Sequence, residues 1–153
     1  MHAMPLKEFT SDYKNTSNPK LKGKVEQFEK LLADLNKREI PEEVAVVINT
    51  EIEKLNQFKG DEKAFKKQLF KSQAAVYRMV QKKLKLVPKN YYRMLWMSLG
   101  MTSFGLPIGI AFGLANDNMA LLGAFLPVGM VIGMAIGAGM DKKAAKDGLQ
   151  LDV

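Results

Sequence analysis

Two uncharged apolar segments of equal length, 94–115 and 119–140, are separated only by Asn116, Asp117 and Asn118. At 1.5 Å rise per residue, each 22-residue segment makes a helix roughly 33 Å long, enough to cross a hydrocarbon core of about 30 Å once. The pattern predicts a transmembrane hairpin over 91–141, with both ends returning to the same side of the bilayer.

About 90 residues precede the hairpin, enough for one small helical module and too few for an ordinary enzyme domain with a deep cleft. The net charge of +7 is concentrated before the membrane: residues 1–90 hold 19 Lys/Arg against 12 Asp/Glu, whereas 91–153 hold four of each. Lys82, Lys83, Lys85, Lys89 and Arg93 precede the first span, and Lys142, Lys143 and Lys146 follow the second, while the connecting turn carries only Asp117. Since Lys and Arg accumulate on cytoplasmic flanks, both termini are expected inside, in an inner or plasma membrane. Tyr91, Tyr92 and Trp96 fit an interfacial aromatic belt on that side. Residues 1–13 lack the apolar core of a secretion signal, so the module before the hairpin is expected to stay cytoplasmic.

Residues 1–18 show no helical periodicity and read as a flexible or extended arm. The cytoplasmic module is expected over 19–90. Asn18 and Pro19 resemble an N-cap and first-turn proline, and Leu21, Val25, Phe28, Leu32 and Leu35 form one apolar seam ending near Lys37 and Arg38. Pro41 restarts a helix whose face is Val44, Val47, Ile48, Ile52 and Leu55. Asp61 caps a third, in which Phe65, Leu69, Val76, Val80, Leu84 and Val87 form the stripe, helped by Phe70 and Tyr77, up to Pro88. Short connections bring these helices back antiparallel as a three-helix bundle or coiled-coil-like module. The fold class is therefore an all-α membrane protein, a cytoplasmic helical module followed by a two-helix hairpin and a cytoplasmic tail over 142–153.

Within the hairpin, Gly105, Gly109 and Gly113 repeat at intervals of four in the first span, as do Gly129, Gly133 and Gly137 in the second. Helices in lipid associate largely through close approach at such small residues. A turn centred on Asp117 places Gly113 level with Leu121, Gly109 with Phe125, Gly105 with Gly129, Met101 with Gly133 and Met97 with Gly137. Two uses of the glycines remain open: packing the spans of one chain, or joining neighbouring copies into a homo-oligomer. Pro107 and Pro127 fall at one depth, and the carbonyls they free, those of Ser103 and Gly123, would either bend the helices or line a passage. Neither span holds an ionisable side chain, which argues against a proton-coupled transporter.

No catalytic constellation is legible. The chain lacks cysteine, and its one histidine, His2, has no ligand-like neighbour. The methionines at helical spacing read as adaptable packing rather than a copper site. No metal, cofactor or nucleic-acid partner is expected. The cations at 82, 83, 85, 89, 93, 142 and 143 are instead expected to meet anionic lipid headgroups.

The tandem Gly-x-x-x-Gly runs on both arms, followed by Asp141-Lys142-Lys143-Ala144-Ala145-Lys146, resemble the small bacterial membrane proteins known as glycine-zipper proteins. The likeness covers about residues 94–147 and implies self-association in the membrane. Three non-enzymatic readings follow: a protein that self-associates through its glycine-rich transmembrane helices and presents a cytoplasmic docking or scaffold module to a protein partner, a homo-oligomeric pore, or an accessory subunit of a larger membrane complex.

Overall fold

The computed structural model describes residues 4–153, and 75% of the described residues are helical. The chain divides into two compact units: one built from the residues up to Val87 together with Leu151–Val153, the other from Pro88–Gln150. His2 lies outside the described residues.

The first unit contains helices α1 (Pro19–Asn36), α2 (Glu42–Asn56) and α3 (Glu62–Leu84). Their starts follow the capping chemistry of the sequence. Asn18 Oδ1 accepts the Lys20 N–H at 3.2 Å ahead of Pro19, and Asp61 Oδ1 accepts the Ala64 N–H at 2.8 Å. Lys85, with φ of 56°, ends α3 in the left-handed region. Buried in this unit are Leu21, Val25, Phe28 and Leu35 of α1, Val44, Ile48, Ile52 and Leu55 of α2, and Phe65, Leu69, Val76 and Val80 of α3. Phe70, expected to help the α3 stripe, is 72% exposed. It sits one residue past Leu69, a rotation of about 100° that carries it out of the stripe. Tyr77 is half-buried, and its desolvation raises the phenol pKa, partly offset by a hydrogen bond with Gln73.

From Pro5 onward, the segment expected as a flexible or extended arm packs along this unit. Asn49 and Asn56, two turns apart on α2, act as substitute peptide groups for the extended chain. Asn49 accepts the Lys7 N–H (2.6 Å) and donates to the Pro5 carbonyl (3.2 Å), while Asn56 accepts the Thr10 N–H and donates to the Glu8 carbonyl, both at 2.8 Å. Phe9 then meets Phe28 edge-on at 5.5 Å, and Tyr13 stacks on Phe65 at 4.1 Å. Glu62 accepts hydrogen bonds from the Thr16 hydroxyl and the Asn18 amide, which hold its carboxyl below the ordinary value of 4.5.

The second unit is a hairpin of α4 (Tyr91–Ala115) and α5 (Ala120–Lys146), 25 and 27 residues long. Both extend beyond the expected 94–115 and 119–140 at the ends away from the turn. At the turn Asp117 takes φ of 48°, and the Asn118 N–H reaches back to the Gly113 carbonyl at 2.9 Å. Asn118 Oδ1 accepts the Ala120 N–H at 3.1 Å, and Asn116 donates to the Phe112 carbonyl at 2.9 Å. The flanking asparagines thus cap the end of one helix and the start of the next.

The chain passes between the units twice, at strands β1 (Val87–Pro88) and β2 (Gln150–Leu151), which pair with each other. The expected tail over 142–153 is therefore structured. Residues to Lys146 continue α5, Gly148 reverses the chain at φ of 70°, and Leu151 is fully buried in the first unit. The adjoining Asp152 N–H donates to Asp34 Oδ2 at 3.2 Å.

Candidate functional site

The two arms of the hairpin meet along rows of glycine, with Phe112 of one arm stacked on Phe125 of the other at 4.8 Å. Gly105, Gly109, Gly113, Gly129, Gly133 and Gly137 are all buried; Gly113 packs beside the turn, and the other five pack on the opposite arm of the same chain. A methyl on Gly109 would stand 2.9 Å from Leu122 Cα, and one on Gly129 would stand 2.5 Å from the Gly105 nitrogen. At Gly133 and Gly137 the backbone carbonyls of Trp96 and Tyr92 already fill the place of a side chain. Absence of a β-carbon is what lets the two backbones touch.

Gly100 belongs to this surface and was missed from the sequence, because it stands five residues before Gly105 rather than four. In a regular α-helix a five-residue step turns the side chain about 140° away. Here residues Met101–Gly105 form a π turn, with the Leu106 N–H bonded to the Met101 carbonyl. The wider turn absorbs the extra residue and brings Gly100 onto the face of Gly105, against Gly129 and Gly133. A four-residue pattern that slips once by one residue is the signal that would have found it. Pro107 follows one residue later, after Leu106, and widening the preceding turn relieves the clash of a proline ring with the helix before it.

The π turn also corrects the expected register. Gly109 meets Phe125, and Gly105 meets Gly129, as the turn-centred pairing requires. Nearer the base Gly133 meets Trp96 and Gly100 instead of Met101, and Gly137 meets Tyr92 and Arg93 instead of Met97. One extra residue rotates the inner half of α4 by about 100°, exchanging positions 97 and 101 for 96 and 100 on the contact face. Gly113 lies nearest to Asn118 and Met119, beside the turn.

Pro107 and Pro127 are exposed and lie off the glycine contact; Pro127 sits within an uninterrupted α5. The outward surface also carries Leu99, Phe104, Ile110, Val131 and Ile132. Only 22% and 17% of the most apolar stretches of α4 and α5 are buried. A soluble core helix of this composition would be mostly covered.

At the base, Asp141 is 7% exposed and its two oxygens accept the Tyr92 and Arg93 N–H groups at 3.0 Å each. The last acid of one arm thus caps the first turn of the other, a charge-assisted pair that favours the negative group at a helix start. Asn90, the residue before α4, has φ of 61° and no side-chain cap of its own. Lys82, Lys83, Lys85, Lys89, Arg93, Lys142 and Lys143 are all exposed, with Lys83 paired to Glu43 at 2.8 Å. Among the described residues no group of three or more His, Asp or Glu side chains is placed to hold a metal.

The fold thus defines an all-helical protein with two helices long and apolar enough to cross a membrane. Comparison with known proteins finds no matching family model, no similar curated protein and no similar solved structure.

Proposed function

We propose that this chain is an integral membrane protein whose glycine-locked hairpin anchors a three-helix cytoplasmic bundle, and that the bundle serves as a non-enzymatic docking module for a protein partner. The observation that carries the reading is the pairing of two long helices through bare backbone while their apolar side chains face outward. Such a hairpin satisfies its backbone hydrogen bonds within the helices and offers the surrounding medium a largely apolar surface, which hydrocarbon accepts and water does not.

Charge orients it with both ends inside. The glycine faces are occupied within the chain, so self-association would use the outward surface, where Gly123 and Gly139 have open space above them and Ser98 and Thr102 are exposed. Their hydroxyls bond to carbonyls of their own helix, leaving compact, internally satisfied side chains for a second copy to pack on.

The test is topology. The chain has no cysteine, so single cysteines at Ser17, Asn118 and Asp147 can be read one at a time with an impermeant thiol reagent on intact cells. Labelling at 118 alone is the expected result. Labelling at 17 or 147 in intact cells, or recovery of the chain in the soluble fraction, overturns the reading.

A further inference from the structure

The base of the hairpin holds a cavity of about 250 Å³, lined by Arg93, Lys142, Asn90 and Gln150 around the small side chains of Ala138 and Ala145. Ligand pockets for whole small molecules commonly run from about 300 to 1,000 Å³, so this one suits a fragment such as a headgroup. Asp141 also lines it, but both carboxylate oxygens are taken up by the N–H groups at the start of α4. Among the described residues no ion pair engages the Arg93 guanidinium or the Lys142 ammonium. The local negative charge is satisfied and the local positive charge is not. The cavity therefore favours an anion.

Its position narrows the kind of anion. Arg93 immediately precedes the uncharged stretch that begins at Met94, and Lys142 follows soon after the stretch that ends at Met140. Met94 and Met140 are both exposed. In a membrane-spanning hairpin this boundary is the depth of lipid phosphates, with acyl chains beginning beside the two methionines. A guanidinium matches phosphate oxygens through a planar fork of donors, and a lysine ammonium adds a mobile point charge.

We propose that this cavity is a binding site for the phosphate of an anionic phospholipid, with Arg93 as the fork and Lys142 closing over it. The proposal rests on the membrane reading and adds a defined site to it, distinct from a diffuse attraction of basic flanks to the surface.

Full-length protein in nanodiscs of phosphatidylcholine, with phosphatidylglycerol as a minor component, is released into mild detergent, and retained lipids are identified by native mass spectrometry. The parent is expected to keep phosphatidylglycerol in preference to phosphatidylcholine. Arg93→Gln and Lys142→Gln should each lower that preference about fivefold, the scale of one cation near an anionic surface. Lys146→Gln removes a charge on the same flank but outside the cavity and should leave it unchanged. Arg93→Gln keeps the backbone N–H that Asp141 uses, so helicity by circular dichroism should hold.

Equal losses in the cavity variants and the control would mean diffuse attraction and overturn the site. Inorganic phosphate that displaces the retained lipid at millimolar concentration would make it a free-phosphate site and overturn the lipid assignment. A chain that fails to enter nanodiscs overturns the membrane reading and this proposal with it, whereas an inserted chain without lipid preference overturns this proposal alone.

Discussion

At Gly133 the Trp96 carbonyl of the opposite arm occupies the space where a β-carbon would stand, and at Gly137 the Tyr92 carbonyl does the same. Gly123 and Gly139 lie on the same helix with nothing within 4 Å of an added methyl. Four substitutions of one chemical kind should therefore divide by face. Alanine at 133 or 137 must push two backbones apart, an overpacking cost of about 1–3 kcal/mol. Alanine at 123 or 139 removes a flexible residue from a helix and should be neutral or stabilising by up to ~1 kcal/mol. Thermal unfolding followed by circular dichroism in one detergent reads the difference. Equal midpoints for Gly133→Ala and Gly123→Ala would mean that the arms do not meet at these positions.

At the scale of one helix, the glycine face of α4 survives a break in its own repeat because the π turn at Met101–Gly105 takes up one residue. Deleting a residue from a packed helix ordinarily rotates everything beyond it by about 100° and destroys the contact. Removing Thr102 should instead be tolerated. The deletion leaves Gly100 four residues from its neighbour, so a plain α-helix keeps the whole glycine row aligned. Thr102 bonds only to carbonyls of its own helix, at 3.1 Å each, and its loss takes no contact from the other arm. Pro127 shows that an uninterrupted helix in this hairpin accommodates a proline. Deleting Ala111, which lies between Gly109 and Gly113, should lower the unfolding midpoint well below that of the Thr102 deletion. The reverse order would remove the account of the π turn. The same elements show what was legible in sequence. The seams of α1 to α3 and the caps at Asn18 and Asp61 are periodic or local signals. The glycine rows were legible as packing surfaces, but the choice of partner was not, because spacing names a face without naming what covers it. The docking of residues 5–10 on Asn49 and Asn56 left no trace, since side-chain amides pairing with an extended backbone impose no repeat on either segment.

Across the whole molecule, the first unit is completed by residues far from the rest of it in sequence. Leu151 is fully buried there, and the Asp152 N–H meets Asp34, which also pairs with Arg38 at 3.3 Å. These last residues can arrive only after the chain has run out along α4 and back along α5. Leu151→Ala should destabilise the first unit by about 2–5 kcal/mol, the range for a large-to-small change in a packed core. Truncation after Gly148 should do so at least as strongly, because it also removes strand β2 and the Asp152 donor. The hairpin should keep its helicity in both variants, since its glycine contacts and the Asp141 cap lie wholly within residues retained by the truncation. Limited proteolysis in nanodiscs separates the two effects: cleavage within residues 4–87 should accelerate while the 91–146 fragment stays protected. If Leu151→Ala and the truncation leave that cleavage rate at the parent value, the C-terminal residues do not complete the first unit.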